Sequence, residues 1–254
     1  MSDTIVWISG ATQGLGLGLA RQVPWAEAKV INISRRIHPD YETLRADLSD
    51  PVSWDAVADH FATRLAAFRG ERAIFVHNAY VPVNGAVGTV DPVAYRNAVI
   101  ANCAAPLVLA EAFVRACRPD FESGLVLLSS DSAIFAFPTL AAYCAAKVSV
   151  EHWAEVVRRE RQAAGAGPWV VAVRPGTVLT PPVEATAALD ESVYPGVLRM
   201  REKIAATGVT IDEAGRRIWA ALPPPPGISV ISFGEHPSPE RDFGGERVLM
   251  KRPR

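Results

Sequence analysis

The residues from 5 to 16 read Ile5-Val6-Trp7-Ile8-Ser9-Gly10-Ala11-Thr12-Gln13-Gly14-Leu15-Gly16, an apolar run that leads directly into a glycine-rich turn. The apolar run predicts a buried strand, and an apolar helix is predicted to follow from Leu17 to Val23. Glycines allow the tight backbone angles of such a turn and let a phosphate approach the main chain. The helix N-terminus adds unpaired N–H groups and the positive end of a dipole. This order of elements predicts a pyrophosphate site, the alternative being a glycine-rich turn that binds nothing.

Short apolar runs alternate with longer amphipathic stretches along the rest of the chain. The further predicted strands are Val30–Ser34, a weaker one that ends near Ala46-Asp47, Ala73–Val76, Leu125–Leu128, Trp169–Val173 and Ile228–Ile231. The further predicted helices are Trp54–Phe68, Val99–Cys117 and Ala141–Gln162, while the short stretch from Arg35 to Arg45 is expected to form a loop. Apolar strands of this kind suit a parallel sheet covered on both faces. The pattern predicts a single doubly wound Rossmann-type α/β domain with a parallel seven-stranded sheet.

Composition limits the classes of function. We expect one domain over residues 1–234 and a tail over 235–254 that is a surface extension or partly disordered. The net charge of −1 argues against a nucleic-acid or anionic-membrane partner. No signal peptide is recognised at the N-terminus, and no apolar stretch is long enough to span a bilayer. The three cysteines include no CxxC pair, so we expect no disulfide framework, no metal site and a cytoplasmic location.

A phenol and an ammonium stand four residues apart in Tyr143-Cys144-Ala145-Ala146-Lys147. In a helix they lie on one face, one turn apart. Because a nearby cation favours the phenolate, Lys147 is expected to lower the pKa of Tyr143. Such a tyrosine can give a proton to a developing alkoxide or take one from an alcohol. The alternative is an ordinary pair on a helix surface.

Three further features surround this pair. The glycines Gly10, Gly14 and Gly16 follow G-x-x-x-G-x-G, and Ser130 lies thirteen positions before Tyr143. Asn102 lies in the helix after the fourth predicted strand. With these spacings the sequence resembles the classical short-chain dehydrogenase/reductase family, whose fingerprint is T-G-x-x-x-G-x-G. Within that family it looks most like benzil and sepiapterin reductases.

The resemblance implies a catalytic set and an activity. Ser130 would orient the carbonyl oxygen, Tyr143 would protonate it, and Lys147 would grip the ribose. Asn102 would hold a relay water; alone, it would be a plain helix residue. The implied reaction is hydride transfer from NADPH to a small carbonyl compound, with an apolar or aromatic ketone or diketone as the expected substrate. A nucleotide-sugar epimerase and a nucleotide-binding redox sensor on the same scaffold are the alternatives.

The resemblance also implies a cofactor site for NADP(H). Its expected residues are Ser9, Gly10, Thr12, Gln13, Gly14, Leu15, Gly16, Ser34, Arg35, Arg36, Asp47, Leu48, Asn78, Ala79, Tyr143, Lys147, Pro175, Gly176, Val178 and Thr180. NADPH is favoured over NADH because the second strand ends in Ser34-Arg35-Arg36, with no acidic residue before Asp40. Surface arginines without a ligand are the alternative.

Two residues depart from the family pattern, and two segments carry further expectations. Tyr80 replaces the family glycine after Asn78-Ala79 and would narrow the cofactor cleft or form a substrate wall. His77 replaces an asparagine and is expected to be a satisfied buried histidine. Apolar helix faces, by resemblance, imply a homodimer or homotetramer, and residues 180–207 are expected to form a lid over the substrate.

Overall fold

The apolar runs form a seven-stranded sheet within the residues that the computed structural model describes, 3–188, 190–191 and 196–234. The strands are β1 (Thr4–Ser9), β2 (Lys29–Ser34), β3 (Glu42–Arg45), β4 (Arg72–His77), β5 (Glu122–Leu128), β6 (Trp169–Arg174) and β7 (Val230–Ser232). Every neighbouring pair is parallel, and the order across the sheet is β3-β2-β1-β4-β5-β6-β7. The predicted doubly wound α/β fold is confirmed.

Helices cover both faces of this sheet. They are α1 (Gly14–Arg21), α2 (Val52–Ala67), α3 (Pro92–Val99), α4 (Ala105–Ala116), α5 (Ala141–Ala164), α6 (Pro181–Ala187), α7 (Val197–Thr207) and α8 (Ile211–Ala220). On one face Trp7 of β1 packs edge-on against Phe61 of α2 and Phe113 of α4, at centroid distances of 5.4 and 6.0 Å. On the other face, the Trp219 indole N–H of α8 donates to the Leu19 carbonyl oxygen of α1 over 2.9 Å. Two cores therefore hold the sheet from opposite sides.

The strand order changes direction at β1, because β2 and β3 lie on one side of this strand and β4 to β7 lie on the other. This strand pairs with β2 on one side and with β4 on the other. In open parallel sheets, a crevice forms beyond the carboxyl ends of the strands at such a switch point. The glycine-rich turn follows β1 there, and the residues after β4 face it. The fold thus brings residues 9–16 and 78–81 to one place.

The predicted helix after the fourth strand needs correction. The expected helix from Val99 to Cys117 begins earlier, at Pro92, and a π-helical turn over Ile100–Ala104 separates α3 from α4. Asp91 caps α3 by accepting the Ala94 N–H over 2.8 Å, a signal that the apolar pattern alone does not reveal. The sequence analysis did not predict α8. The expected loop between β2 and β3 is confirmed.

The helical segment from Pro92 to Ala116 also corrects the expectation that no segment could span a bilayer. With 25 residues and a mean hydropathy of 1.6, it is long and apolar enough by those two criteria. A core helix meets the same criteria, and Leu109 and Phe113 of this segment are fully buried in the protein. Length and hydropathy therefore carry no argument for a membrane here.

The expected lid contains two helices, α6 and α7. The Lys203 ammonium of α7 pairs with the Asp131 carboxylate over 3.2 Å, next to Ser130. Residues 189 and 192–195 of this segment lie outside the described part of the chain. The predicted tail over residues 235–254 lies outside it as well.

Candidate active site

The glycine-rich turn has the backbone that its sequence predicts. Gly10 and Gly14 have φ angles of +73° and +55°, which a residue with a side chain rarely adopts. A Cβ atom on Gly16 would lie 2.1 Å from the Gly10 carbonyl oxygen. The residue before α1, Gln13, provides no side-chain cap, so the N–H groups of the first turn are left to water or a ligand. The turn therefore forms a close-fitting anion cradle at a helix N-terminus.

Ser9 holds the two sides of the crevice together. Its fully buried hydroxyl accepts the N–H groups of Asn78 and Ala79, each over 2.9 Å. The Asn78 side-chain amide in turn donates to the Ser9 carbonyl oxygen over 3.2 Å. Ser9 was expected to contact the cofactor, but its side chain instead fixes the segment after β4 against the phosphate turn.

Two arginines follow β2 at the edge of the crevice. The Arg36 guanidinium donates to the Gln13 side chain over 3.0 Å, which places it beside the phosphate turn. The Arg35 guanidinium lies 3.8 Å from the Asp47 carboxylate, and 70% of its side chain is exposed. Ser34 hydrogen-bonds the main chain of Arg36, with a distance of 2.6 Å to its carbonyl oxygen. Both cations therefore stand beside this end of the crevice.

A buried asparagine that the sequence analysis missed organises this end. The Asn32 side-chain oxygen accepts the Ala11 N–H over 3.1 Å. Its amide donates to the Ser34 hydroxyl over 3.0 Å and to the Arg36 carbonyl oxygen over 3.1 Å. A polar residue inside an otherwise apolar strand was the available signal, because buried amides require partners.

At the other end of the crevice, the Tyr143 phenol interacts with the Ser130 side chain. Ser130 caps a short 3₁₀ turn by accepting the Ser132 N–H over 3.2 Å, which holds its hydroxyl in place. Burial raises the pKa of Tyr143 above its ordinary value, and the Ser130 interaction acts against that rise. The phenol is therefore protonated near neutrality and suited to donate a proton.

Lys147 does not activate Tyr143 in this structure. Its ammonium donates to the Leu128 carbonyl oxygen over 2.6 Å. Its nitrogen lies 5.4 Å from the centroid of the Tyr143 ring. Burial lowers the pKa of Lys147 to about 8, against the opposing charge of Glu151. The expected lowering of the Tyr143 pKa by Lys147 is therefore not found in this geometry, because the ammonium faces the end of β5.

Asn102 lies in the π-helical turn and is tied to the loop after β4. Its side-chain oxygen accepts the Val81 N–H over 2.8 Å, and its amide donates to the Val81 carbonyl oxygen over 2.7 Å. Both ends of the amide are thus engaged with one residue of the main chain. The side chain positions this loop, which leaves the expected relay water as a prediction.

The two departures from the family pattern have different surroundings. Tyr80 lines the crevice, with its ring centroid 4.8 Å from that of Tyr143 at an interplanar angle of 69°. His77 is buried, and burial lowers its pKa to about 3, so it is neutral. Its Nε2 atom has no hydrogen-bond partner within the described structure, so the expectation of a fully satisfied histidine is wrong for that atom.

A buried ion pair lies behind the catalytic residues. The Arg174 guanidinium donates to both carboxylate oxygens of Glu151, each over 2.6 Å. The Ser129 hydroxyl donates to the same carboxylate over 2.6 Å. The side chains of Arg174 and Glu151 are 1% and 4% exposed. This network joins β5, α5 and β6 at the points from which Ser130, Lys147 and Pro175 extend, and sequence reasoning missed it.

The crevice has a volume of about 340 Å³. Its wall brings together most of the predicted site residues: Gly10, Thr12, Gln13, Gly14, Leu15, Ser34, Arg35, Arg36, Asp47, Leu48, Asn78, Ala79, Asn102, Tyr143, Lys147, Pro175 and Thr180. The wall also includes residues that the sequence analysis did not assign to the cofactor or the catalytic set: Ile33, Ala46, Tyr80, Val81, Ala101, Leu128, Ser129, Pro181 and Pro182. The predicted residues Ser9, Gly16, Ser130, Gly176 and Val178 are not part of the wall.

These features fit an elongated dinucleotide. The crevice runs from two arginines, past an anion cradle, to a phenol that interacts with a serine side chain. Within the described residues, no group of three His, Cys, Asp or Glu side chains has the arrangement of a metal site. The chemistry available at the inner end is proton transfer by Tyr143.

Comparisons with known proteins agree with this arrangement. A family model described as short chain dehydrogenase matches residues 4–190. A short-chain dehydrogenase/reductase from Burkholderia vietnamiensis is 28% identical, with a TM-score of 0.62, and the match covers 78% of this chain and 94% of that one. A search of the curated proteins found no match.

Two more distant structures share the fold. A levodione reductase is 19% identical over 92% of this chain and 97% of its own, with a TM-score of 0.71. The aldohexose dehydrogenase of Thermoplasma acidophilum is 19% identical over 91% of this chain and 92% of its own, with a TM-score of 0.70.

The fold and the site together define a nicotinamide-dependent oxidoreductase that acts on CH–OH or carbonyl groups. The chain belongs to the short-chain dehydrogenase family. Members of this family use NAD or NADP as cofactor.

Proposed function

We propose that the protein is an NADPH-dependent carbonyl reductase that converts a small, apolar or aromatic ketone or diketone to an alcohol. The observation that carries this proposal is the buried Tyr143 phenol, which lines the inner end of the crevice and interacts with the Ser130 side chain. A redox sensor on the same scaffold would have no need of a tyrosine held ready for proton transfer.

The bound nicotinamide would supply the hydride. The residues of this chain orient the substrate and manage the proton. Ser130 donates a hydrogen bond to the carbonyl oxygen, and the Tyr143 phenol transfers its proton to that oxygen as negative charge develops there. Lys147, once turned from the Leu128 carbonyl toward the ribose hydroxyls, brings its positive charge nearer to the phenol and stabilises the phenolate that remains.

The preference for NADPH rests on the two arginines after β2. Arg36 stands beside the phosphate turn through its bond with Gln13, and Arg35 is 70% exposed and faces Asp47. Guanidinium groups bind phosphate through paired, charge-assisted hydrogen bonds. Within the described structure, Asp47 is the only acidic residue paired with Arg35 or Arg36. Its carboxylate lies 3.8 Å from the Arg35 guanidinium, so it competes only weakly with a phosphate for that side chain.

The substrate class rests on the apolar character of the inner wall. Tyr80, Val81 and Ala101 line the crevice, and the Tyr80 ring contacts the Tyr143 ring. The names of two structural neighbours, a levodione reductase and an aldohexose dehydrogenase, show that one fold serves very different substrates. We infer that these side chains take part in substrate selection.

We also propose a cytoplasmic location and a homo-oligomeric state. The three cysteines are free, as a reducing compartment requires. The oligomer is supported by exposed apolar side chains on α4 and α5, among them Val108, Val148 and Val156.

The proposed reaction is tested by following NADPH oxidation with a panel of aromatic ketones, diketones and aliphatic ketones, with identification of the alcohol formed. Turnover of at least one carbonyl compound, with one alcohol formed per NADPH, supports the proposal. Absence of turnover across the panel, despite NADPH binding, would favour the redox sensor.

A further inference from the structure

We propose that Tyr80 is a positioning residue for Tyr143, and that the two rings together select flat, conjugated carbonyl compounds. The second part rests on the proposed reductase function. The Tyr80 ring meets the Tyr143 ring at 4.8 Å and 69°, an edge-to-face contact. Such contacts are attractive in a defined orientation, so one ring restrains the other. Tyr80 is therefore placed to fix the plane of the proton-donating phenol.

Tyr80 can restrain its neighbour because it is itself held at three points. Before it, the Ala79 N–H donates to the buried Ser9 hydroxyl over 2.9 Å. After it, Asn102 pairs with both the N–H and the carbonyl oxygen of Val81, over 2.8 and 2.7 Å. At the far end of the side chain, the phenol interacts with the Val83 main chain. The loop and the ring thus form one rigid unit.

The two rings also flank the Lys147 ammonium. The Lys147 nitrogen lies 6.0 Å from the Tyr80 centroid and 5.4 Å from the Tyr143 centroid. Aromatic faces attract a cation at such distances, so both rings stabilise the ammonium without hydrogen-bonding it. Burial raises the pKa of Tyr143 in this environment and that of Tyr80 to about 12. Both phenols are therefore protonated near neutrality.

The arrangement of the rings has a consequence for the substrate. Tyr80 and Tyr143 both line the crevice, and their near-perpendicular planes make an aromatic corner. A flat conjugated carbonyl compound can stack on one ring while its edge meets the other. A saturated, puckered ring of similar size makes neither contact well. The corner therefore favours aryl ketones and conjugated diketones over cyclic aliphatic ketones.

The positioning role is tested without catalysis, by titrating the Tyr143 phenol through its ultraviolet difference spectrum. Tyr80→Phe keeps the ring, whereas Tyr80→Gly removes it. The titration of each variant is compared with that of the same variant carrying Tyr143→Phe as well. The difference between the two titrations reports the ionisation of Tyr143 alone. We expect the pKa of Tyr143 to stay high with Phe and to fall toward about 10, the ordinary tyrosine value, with Gly. Equal pKa values of Tyr143 in Tyr80→Phe and Tyr80→Gly would overturn the positioning role.

The selection of substrate is tested by the ratio of kcat/KM for an aryl diketone to that for a cyclic aliphatic ketone. Tyr80→Leu keeps apolar bulk but removes the flat aromatic face. It also replaces Tyr80→Gly in the titration of Tyr143 if that variant does not fold. We expect the ratio to be kept by Tyr80→Phe and to fall about threefold to tenfold in Tyr80→Leu, the scale of one aromatic contact. An unchanged ratio in Tyr80→Leu would overturn this part of the proposal.

Tyr95→Leu is the matched control, because Tyr95 packs against the small cluster that contains Val83 but does not line the crevice. It should leave the ratio unchanged, and a fall equal to that of Tyr80→Leu would show a merely structural role. If the wild-type protein reduces no carbonyl compound, the proposed function fails, and the titration still decides whether Tyr80 positions Tyr143.

Discussion

The ammonium of Lys147 donates a hydrogen bond to the carbonyl oxygen of Leu128 over 2.6 Å, at the end of β5. Leu128 stands two residues before Ser130, whose side chain interacts with Tyr143. The lysine is thus anchored to the strand that presents the serine. Both Lys147 and Leu128 line the crevice.

The charge of Lys147 gives the reaction a pH dependence. Burial lowers the pKa of Lys147 to about 8, so the ammonium is present below that pH and is lost above it. Tyr143, whose pKa is raised, keeps its proton throughout this range. We expect kcat/KM for NADPH in the reductive direction to be level below about pH 8 and to fall above it. Steady-state rates across the neutral and alkaline range measure this profile, which reports groups of the free enzyme.

Lys147→Arg is the matched control for this profile. A guanidinium stays charged to a pKa above about 12, so whatever activity remains should lack the fall near pH 8. A wild-type profile that is level through the alkaline range, or a variant that keeps the same fall, would show that Lys147 is not the titrating group.

The two arginines after β2 are expected to read the cofactor's 2′-phosphate. In Arg35→Ala with Arg36→Ala, the ratio of kcat/KM for NADPH to that for NADH should fall by about tenfold or more, the loss expected for charged hydrogen bonds. Arg115→Ala removes an exposed arginine on α4 that pairs with Glu111, and it should leave the ratio unchanged. A double variant with the wild-type ratio, or a wild type that uses both cofactors equally, would refute the assignment.

Removing one partner of the buried pair of Glu151 and Arg174 is expected to destabilise the fold strongly. Glu151→Gln leaves the Arg174 charge buried without its counterion, which should lower the free energy of unfolding by about 3–5 kcal/mol. Replacing both residues, Glu151→Leu with Arg174→Met, removes the unpaired charge and should recover most of that loss. Urea unfolding of the three proteins measures the differences. A loss below about 1 kcal/mol in Glu151→Gln, the scale of an exposed pair, would be inconsistent with a tightly coupled ion pair.

The apolar faces of α4 and α5 are expected to join copies of the chain. Val148 and Val156 of α5 are 40% and 43% exposed, and they lie about two helical turns apart. Light scattering should find a dimer or tetramer, and Val148→Glu with Val156→Glu should shift it toward the monomer. Val87→Glu, in a loop at 74% exposure, is the control and should leave the mass unchanged. A wild-type monomer at micromolar concentration would contradict the expectation.

The sequence allowed the prediction of elements whose signal is local. The strand before Gly10 and the positive φ of that glycine follow from a few adjacent residues. The spacing of Tyr143 and Lys147 predicted a shared helix, and α5 contains both. The loop after β2 was predictable because Pro39 and a short connection leave no room for a crossover helix.

Features that depend on distant parts of the chain could not be predicted in the same way. The direction of the Lys147 side chain is set by the Leu128 carbonyl, which tertiary folding places beside it. The π-helical turn at Asn102 arises where that side chain clamps Val81, twenty-one residues away. Hydrophobic periodicity reports neither side-chain direction nor partners across the sheet. It also cannot pair Glu151 with Arg174.

The central claim is that Tyr143 gives a proton to a carbonyl oxygen during hydride transfer from NADPH. Its most direct test is single-turnover oxidation of bound NADPH by an aryl diketone in the wild type and in Tyr143→Phe, with NADPH affinity measured on both proteins by fluorescence titration. We expect Tyr143→Phe to bind NADPH nearly as tightly and to oxidise it slower by about two orders of magnitude or more, because general acid catalysis is lost. Equal oxidation rates in the two proteins at saturating NADPH would contradict the account.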